Sequence, residues 1–108
     1  MSNSKGYSLS ERILLTIESI PRGKVATYGQ IAGMAGNPRA SRVVVWTLNS
    51  SKSKSLPWYR VINSQGTISL KRGHGYEEQR KLLEDEGIIF NKNDKIDLKQ
   101  FQWTGISL

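Results

Sequence analysis

Residues 27–49 read TYGQIAGMAGNPRASRVVVWTLN and hold two helical patterns on either side of a Gly-Asn-Pro joint. The first pattern opens on a capping box, with Thr27 as the N-cap and Gln30 as the third helical residue. It ends at Gly36, because glycine readily adopts the left-handed conformation that follows many helices. The stretch therefore begins with a short, well-capped helix.

The second pattern begins at Asn37, a favourable N-cap, with Pro38 in the first helical position. It continues to about Asn49 and carries Arg39 and Arg42 near its start. Two short helices joined by a tight turn indicate a helix-turn-helix, whose second helix reads a DNA groove. An ordinary helical hairpin would show the same spacing, but the two arginines favour contact with DNA.

Further helical patterns lie on both sides of this pair. Ser8 and Glu11 form a capping box, and the helix that they open is expected to stop before Pro21. Residues 77–86 form another pattern, with Gly87 as the C-cap. The first is expected to be a packing helix without a chemical role, and the second is expected to turn Leu82 and Leu83 inward.

Polar and glycine-rich segments separate these elements. Residues 50–55 predict a flexible loop, and residues 70–75 predict a second loop that is basic. Residues 88–90 and 96–98 predict a hairpin around a turn at 91–94. Together the elements predict one small winged-helix-like α+β domain that spans the whole chain.

The segment LPWYRVINSQGTIS, residues 56–69, predicts a turn, a short strand and a returning strand at 67–69. Pro57 fixes an extended or turned entry, and the β-branched Val-Ile pair that follows suits a buried strand. Trp58 is either an anchor in the core or a flat surface on which a ligand can stack.

The composition bounds the class of protein. A chain of 108 residues is long enough for one domain with a modest core. It contains no cysteine, which excludes disulfides, thiolate metal sites and a cysteine nucleophile. Since the sequence lacks a long apolar run near its start, we expect no signal peptide, no membrane contact and a cytoplasmic location, nucleoid-associated if bacterial.

The net charge of +7 is unevenly distributed. Residues 1–75 contain eleven Lys and Arg but two Glu, whereas residues 76–108 contain five Lys and Arg and seven Asp and Glu. This pattern indicates a polyanionic partner such as DNA or RNA, and is less well explained by a merely soluble basic protein. Because the basic middle lacks carboxylates and the single histidine, His74, lies in a loop, we expect no metal, cofactor or catalytic residue.

The five residues from Pro57 to Val61 resemble the Pro-Cys-His-Arg-Val active-site motif of the O6-alkylguanine-DNA alkyltransferases. Trp58 stands where that family has its alkyl-accepting cysteine, as in the alkyltransferase-like proteins, which bind the damaged base without accepting its alkyl group. Residues 23–32, 36–44 and 83–87 are also similar to family segments. Residues 1–108 are therefore identified as an alkyltransferase-like DNA-binding domain.

The resemblance implies roles for individual residues. Arg42 matches the arginine that enters the minor groove and fills the space of the flipped base, and Tyr28 matches the tyrosine that pushes on the neighbouring phosphate. The basic loop places Lys71 or Arg72 near the base. The implied DNA-binding residues are Tyr28, Arg39, Ala40, Ser41, Arg42, Lys71 and Arg72, and the implied lesion pocket comprises Tyr28, Trp58, Tyr59, Arg60, Lys71 and Arg72.

Several of these residues have a purely structural alternative. Tyr28 could be a half-buried aromatic at a helix start, Trp58 a core residue, and the basic loop a set of solvated charges that meets only phosphate. Val45 and Trp46 stand where the family's recognition helix has small residues. A bulky face there would change how the helix docks, although Trp46 could instead face the core.

One departure from the family and one match to it concern the chemistry of alkyl transfer. Tyr59 replaces the histidine with which the transferases deprotonate their cysteine, and a phenol with a pKa of about 10 is a poor base at neutral pH. Glu86 matches the glutamate that assists that histidine, and is expected to be structural here.

The resemblance implies a non-enzymatic, monomeric sensor that binds double-stranded DNA containing O6-alkylguanine and recruits nucleotide excision repair proteins. Two alternatives stay open. One is a winged-helix regulator that binds undamaged DNA or RNA, and the other is a transferase with an unusual nucleophile such as Tyr59.

Overall fold

The computed structural model describes residues 6–51 and 55–105 of the chain. These residues contain five α-helices and two short strands. The helices are α1 (Leu9–Glu18), α2 (Tyr28–Met34), α3 (Ser41–Ser50), α4 (Tyr76–Asp85) and α5 (Leu98–Phe101). The strands are β1 (Ala26–Thr27) and β2 (Val61–Ile62), and Trp58–Arg60 forms a 3₁₀ turn before β2. Half of the predicted loop at 50–55 falls on residues 52–54, which lie outside the described residues, and Ser50 is the last residue of α3.

The two strands separate two apolar clusters. β1 and β2 are parallel, with Ala26 opposite Val61 and Thr27 opposite Ile62. Because successive strand residues point to opposite faces, Ala26 and Val61 pack with α1, α2 and α3, whereas Ile62 packs with α4. The first cluster includes Ile13, Ile17, Ile31, Val44 and Trp103, and the second includes Ile68, Tyr76, Leu83, Ile88 and Ile96. The register of β2 thereby fixes the Trp58 turn relative to α3.

Both predicted capping boxes are present. Ser8 Oγ accepts from the Glu11 amide at 3.1 Å, and the Ser8 amide donates to Glu11 Oε1 at 2.7 Å. Thr27 and Gln30 make the same exchange at the start of α2. The Gln30 side chain also donates to the Trp103 carbonyl at 2.7 Å, which ties α2 to the end of the described chain. The predicted helix pair α2–α3 is confirmed.

The predicted start of α3 is wrong by three residues, since the N-cap is Ala40 rather than Asn37. Asn37 Oδ1 accepts from the Arg39 amide at 3.2 Å, and the Asn37 carbonyl accepts from the Ala40 amide at 3.0 Å. These bonds close a turn in which Pro38 takes the position that its fixed φ favours. Helical bonding begins only at the Ala40 carbonyl, so Arg39 lies in the turn and Arg42 in the first turn of α3.

The predicted returning strand at 67–69 is also wrong, since β2 pairs in parallel with β1. Asn63 closes its own loop instead, with Oδ1 accepting from the Thr67 amide at 3.0 Å. The loop needs Gly66, whose φ is 81° and where a Cβ would lie 2.6 Å from the Ile96 carbonyl oxygen. This close approach, rather than a hairpin, joins residues 63–67 to the C-terminal segment.

The C-terminal third differs from the prediction in two places. The expected hairpin is reduced to one antiparallel bridge between Phe90 and Ile96, closed by a bond from the Asn91 amide to the Lys95 carbonyl at 2.8 Å. Leu98 belongs to α5, which the pattern did not predict and which Asp97 caps through the Lys99 amide. Among the described residues, no helix combines the length and apolar character that a membrane span requires.

Candidate nucleic-acid interface

One side of α3 faces solvent. Val44 and Thr47 are buried against the first cluster, whereas Arg42, Val45, Trp46 and Asn49 are exposed. The expectation that Trp46 could face the core is therefore wrong: its side chain is 66% exposed, because the buried stripe of α3 runs through positions 40, 44 and 47.

Three exposed basic side chains in and around α3 and the basic loop are uncompensated. Within residues 6–51 and 55–105, the side chains of Arg39 and Arg42 make neither a hydrogen bond nor an ion pair, and the same is true of Lys71. All three are exposed. Free guanidinium and ammonium groups can bind phosphate without first breaking an internal contact.

Several other cations within residues 1–75 are already engaged. Arg12 donates to the carbonyls of Ala35 and Tyr7, and Arg22 donates to the Asp85 carbonyl. Lys24 donates to the Gln100 carbonyl. Among the described residues, the basic side chains thus divide into a set that has partners within the protein and a set that has none.

A cavity of about 590 Å³ opens beside the exposed side of α3. Residues of α2, α3, the 3₁₀ turn, β2, α4 and the loop after β2 contribute to it. Its lining residues are Tyr28, Val45, Leu48, Asn49, Trp58, Val61, Ser69, Leu70 and Gln79. The wall is mainly apolar with a few amide and hydroxyl groups, a composition that suits a planar, partly polar ligand such as a base.

Trp58 supplies the aromatic wall of the cavity. Its ring is half-buried and packs edge-on against Tyr59, with ring centroids 5.8 Å apart and an interplanar angle of 88°. Its backbone amide donates to the Leu56 carbonyl at 2.8 Å, which fixes the entry to the 3₁₀ turn. The indole therefore supplies a flat aromatic surface to the cavity, on which a base can stack.

The next two residues of the motif turn away from the cavity toward Glu86. Arg60 donates to both carboxylate oxygens of Glu86, at 3.0 Å from Nε to Oε1 and 2.6 Å from Nη2 to Oε2, and its Nη1 donates to the Ile20 carbonyl at 2.8 Å. The Tyr59 hydroxyl donates to Glu86 Oε2 at 2.9 Å. Neither Tyr59 nor Arg60 lines the cavity.

This cluster shifts the ionisation of its members. Burial acts to raise the pKa of Glu86, but hydrogen bonds from Arg60, the Gly23 amide and Tyr59 outweigh it and hold that pKa below its ordinary value. Burial and the bond to the Glu86 carboxylate both raise the pKa of Tyr59. The Tyr59 phenol is therefore a protonated hydrogen-bond donor at neutral pH.

The basic loop has its own anchors. The Arg72 guanidinium lies over the Tyr76 ring, 4.3 Å from its centroid, and pairs with Asp94 at 3.0 Å. The Gly73 amide donates to Glu77 Oε1 at 3.0 Å. Lys71 is the member of the Lys71–Arg72 pair that remains without such a contact among the described residues.

The structure thus brings together some of the residues implied for the site and separates others. Tyr28 and Trp58 line one cavity next to α3, and Arg39, Arg42 and Lys71 are exposed and free to bind. Ala40 is buried as the N-cap of α3, and Ser41 is half-buried.

Sequence reasoning missed most of the cavity wall. The buried Gln79 donates from Nε2 to the carbonyls of Tyr59 and Val61, at 3.0 and 3.1 Å, and so holds the backbone around the 3₁₀ turn. Val45, Leu48 and Leu70 look like ordinary apolar residues in the sequence, and no local pattern marks them as cavity residues. A glutamine flanked by charged residues in α4 gives no such signal either.

Residues 8–88 match the protein family described as the 6-O-methylguanine DNA methyltransferase, DNA binding domain. The chain belongs to this family. A relative from Vibrio parahaemolyticus serotype O3:K6 (strain AQ3810), called DNA base-flipping protein, is 48% identical over 93 residues, which cover 85% of this chain and 92% of the relative. Alkyltransferase-like protein 1 of Schizosaccharomyces pombe is 38% identical over 90 residues, 78% of this chain and 83% of the relative.

A solved member of the family has the same fold. The crystal structure of S. pombe Atl1 in complex with damaged DNA containing O6-carboxymethylguanine matches with a TM-score of 0.77 at 32% identity. The match covers 89% of this chain and 94% of that chain. The predicted resemblance to the alkyltransferase family and the predicted small α+β domain are both confirmed.

Proposed function

We propose that this protein is a sensor of alkylated DNA that holds O6-alkylguanine in the cavity beside α3 without repairing it. The observation that carries the proposal is the position of Trp58, which stands at the family's acceptor position and lines an open cavity. A wall of indole in place of a thiol can stack on a base but cannot accept an alkyl group. The relatives named for base flipping, and the Atl1 complex with damaged DNA, support this use of the fold.

Arg42 and Tyr28 carry the extrusion of the base in this proposal. Arg42 is exposed in the first turn of α3 and free of internal partners among the described residues, so its guanidinium can enter the minor groove and occupy the vacated stack. Tyr28 begins α2 on the cavity wall, from which it can press on the adjacent phosphate. Both groups come from one chain, so a monomer suffices.

Lys71 is the basic residue that reads the extruded base in this proposal, and Arg72 anchors the loop. Arg72 stacks on Tyr76 and pairs with Asp94, so its charge is already compensated. Lys71 follows Leu70, a cavity residue, and has a free ammonium group within the described structure. Replacing Lys71 with Ala should weaken lesion binding more than replacing Arg72 with Ala.

The transferase alternative is disfavoured by the state of Tyr59. Its hydroxyl is bonded to Glu86, its pKa is raised, and it does not line the cavity. A phenol that is protonated and turned away from the ligand is a poor nucleophile. Since a bound lesion is then left unrepaired, we propose that the complex is handed to nucleotide excision repair.

The proposal is tested by paired titrations. Wild type, Arg42→Ala and Trp58→Ala are each titrated with a plain duplex and with the same duplex carrying one O6-methylguanine, at one fixed salt concentration. Wild type should prefer the alkylated duplex. Both variants should lose that preference. In Arg42→Ala no side chain occupies the space that the flipped base leaves, so flipping costs a few kcal/mol that is not recovered. In Trp58→Ala the base loses its stacking contact, which contributes about 1–3 kcal/mol.

The same titrations distinguish the damage-sensing proposal from its main alternative. A winged-helix regulator of undamaged DNA would bind both duplexes equally, and neither variant would change the ratio of the two affinities. That result would replace the damage-sensing proposal with sequence-specific binding through α3.

A further inference from the structure

Trp46 is the most exposed large apolar side chain in the described part of the chain, at 66%. Tryptophan is usually well buried, and an indole left in water loses the stabilisation that its large apolar surface could provide. The other two tryptophans show the usual behaviour, since Trp103 is buried in the core and Trp58 is half-buried at the cavity. The exposed indole of Trp46 is therefore available for contact with a partner outside this chain.

Its place on α3 identifies the side from which that partner comes. With about 100° of rotation per residue, Val45 and Trp46 project on opposite sides of Arg42, roughly 60° and 40° away. Val45 lines the cavity. Trp46 instead borders a smaller groove of about 280 Å³ between α1 and α3, with Leu14 and Ser50. Arg42 thus stands between the cavity and Trp46.

The surroundings of Trp46 favour nucleic acid over protein as the partner. No carboxylate occurs between Ser19 and Tyr76, so α2, α3 and the joint between them present only neutral and basic side chains. Arg42, on the same side of α3, and Arg39, in the turn before it, have free guanidinium groups among the described residues. The walls of the DNA minor groove include deoxyribose rings, an apolar surface between phosphates, and proteins that bind this groove frequently use apolar side chains there.

We propose that Trp46 packs against deoxyribose rings of the unmodified DNA strand, across α3 from the cavity that holds the lesion. The inference rests on the proposed function, because it uses the orientation in which the cavity faces the modified strand. In this arrangement α3 contacts both DNA strands. Val45 and Asn49 face the extruded nucleotide, and Arg42 occupies the space that it leaves in the base stack. Trp46 contacts the sugars of the unmodified strand.

This contact has a signature that differs from those of Arg42 and Trp58. The indole touches a sugar wall that is present whether or not a base is alkylated, so it contributes equally to both duplexes. It carries no charge and releases no counterion, so it leaves the dependence of affinity on salt unchanged. A residue of the lesion pocket would alter the preference for the alkylated duplex instead.

The first test titrates wild type, Trp46→Ala and Trp46→Phe with the plain and the O6-methylguanine duplex over a range of salt. Trp46→Ala should weaken binding to both by about tenfold, with the ratio and the salt slope unchanged, and Trp46→Phe should lose less. Ile89→Ala is the matched control, since Ile89 is 64% exposed and lies outside α3. It should bind both duplexes as wild type does.

The second test locates the contact by hydroxyl-radical footprinting, which reports the exposure of deoxyribose in the minor groove. Wild type should protect sugars on both strands near the lesion. Trp46→Ala, at saturating concentration, should lose protection on the unmodified strand only. Thermal unfolding of the variant checks that the exposed substitution leaves the fold intact.

Three results would overturn the inference: wild-type affinity of Trp46→Ala for both duplexes, a loss confined to one duplex, or an unchanged footprint. The first would point to a protein partner or to none. Failure of the proposed function is a separate result, because it shows as a wild-type protein without preference for the alkylated duplex. A uniform loss in Trp46→Ala would still place the indole on DNA in that case.

Discussion

Arg60 and Glu86 lie 26 positions apart in the sequence and form a two-point ion pair, with 2.6 Å between Nη2 and Oε2 and 3.0 Å between Nε and Oε1. The Glu86 side chain is 2% exposed and that of Arg60 is 14% exposed. The same carboxylate accepts from the Gly23 amide at 2.9 Å and from Tyr59. One buried group therefore joins the end of α4, the turn before β1 and the motif that carries Trp58.

Replacing Glu86 with Gln should lower the free energy of unfolding by about 3 kcal/mol, because Arg60 is then left buried without a counter-charge. Chemical denaturation by urea measures the change. Glu84→Gln is the matched control, since Glu84 is 49% exposed and pairs with Arg80 one turn earlier in α4. Its effect should stay below about 0.5 kcal/mol, and similar effects for the two variants would contradict a central role for Glu86.

The stability of the protein should fall in acid through Glu86. Because the folded pKa of Glu86 lies below its ordinary value of 4.5, its contribution is complete above that value and is lost as pH falls through the folded pKa. Urea midpoints of wild type and Glu86→Gln, measured from pH 7 to pH 3, should converge as the pH decreases. A constant difference between the two proteins over this range would show that Glu86 does not titrate with unfolding.

Affinity for duplex DNA should depend on salt through the free cations. If the complex neutralises roughly four to six phosphates, log K should fall with log salt with a slope of about −4 to −5. Arg42→Ala and Lys71→Ala should each make the slope shallower by about 1. Arg72→Ala is the matched control and should leave the slope unchanged, since that guanidinium is paired with Asp94. A slope near zero in wild type would exclude a phosphate contact.

Installing a thiol should not by itself create a transferase. In Trp58→Cys the new side chain faces the cavity, but Tyr59 remains bonded to Glu86 with a raised pKa and cannot take the thiol proton. Intact mass after incubation with an O6-methylguanine oligonucleotide should show no rapid gain of a methyl group. The double variant Trp58→Cys/Tyr59→His is the comparison, and it should react faster. Rapid, complete methylation of the single variant would refute the role given to Tyr59.

Gly66 should tolerate substitution far less well than Gly73, although their φ values are nearly equal at 81° and 82°. Both Gly66→Ala and Gly73→Ala incur the cost of a side chain at positive φ, about 1 kcal/mol. At Gly66 the added Cβ also meets the Ile96 carbonyl oxygen at 2.6 Å, whereas nothing lies within 4 Å at Gly73. We expect Gly66→Ala to cost about 3 kcal/mol in urea unfolding. Equal losses would show that the loop moves freely away from Ile96.

Local chemistry explains which parts of the fold could be predicted. The partners in each capping box are only three positions apart, so the sequence alone predicts the starts of α1 at Ser8 and of α2 at Thr27. The predicted start of α3 was wrong because an asparagine side chain can either cap a helix or close a turn. Here Asn37 accepts from the Arg39 amide and closes a turn. The parallel pairing of β2 with β1 joins residues far apart in the chain, and no local pattern encodes it.

The sequence by itself determined that this protein has no acceptor cysteine, that tryptophan stands in its place, and that the middle of the chain is basic. Tertiary structure decided which basic residues are free. Arg60 and Arg72 are as basic as Arg42 in the sequence, but Glu86 and Asp94 reach them across 26 and 22 positions. Long side chains find partners in space rather than along the chain, so only the folded protein leaves Arg39, Arg42 and Lys71 available to a phosphate.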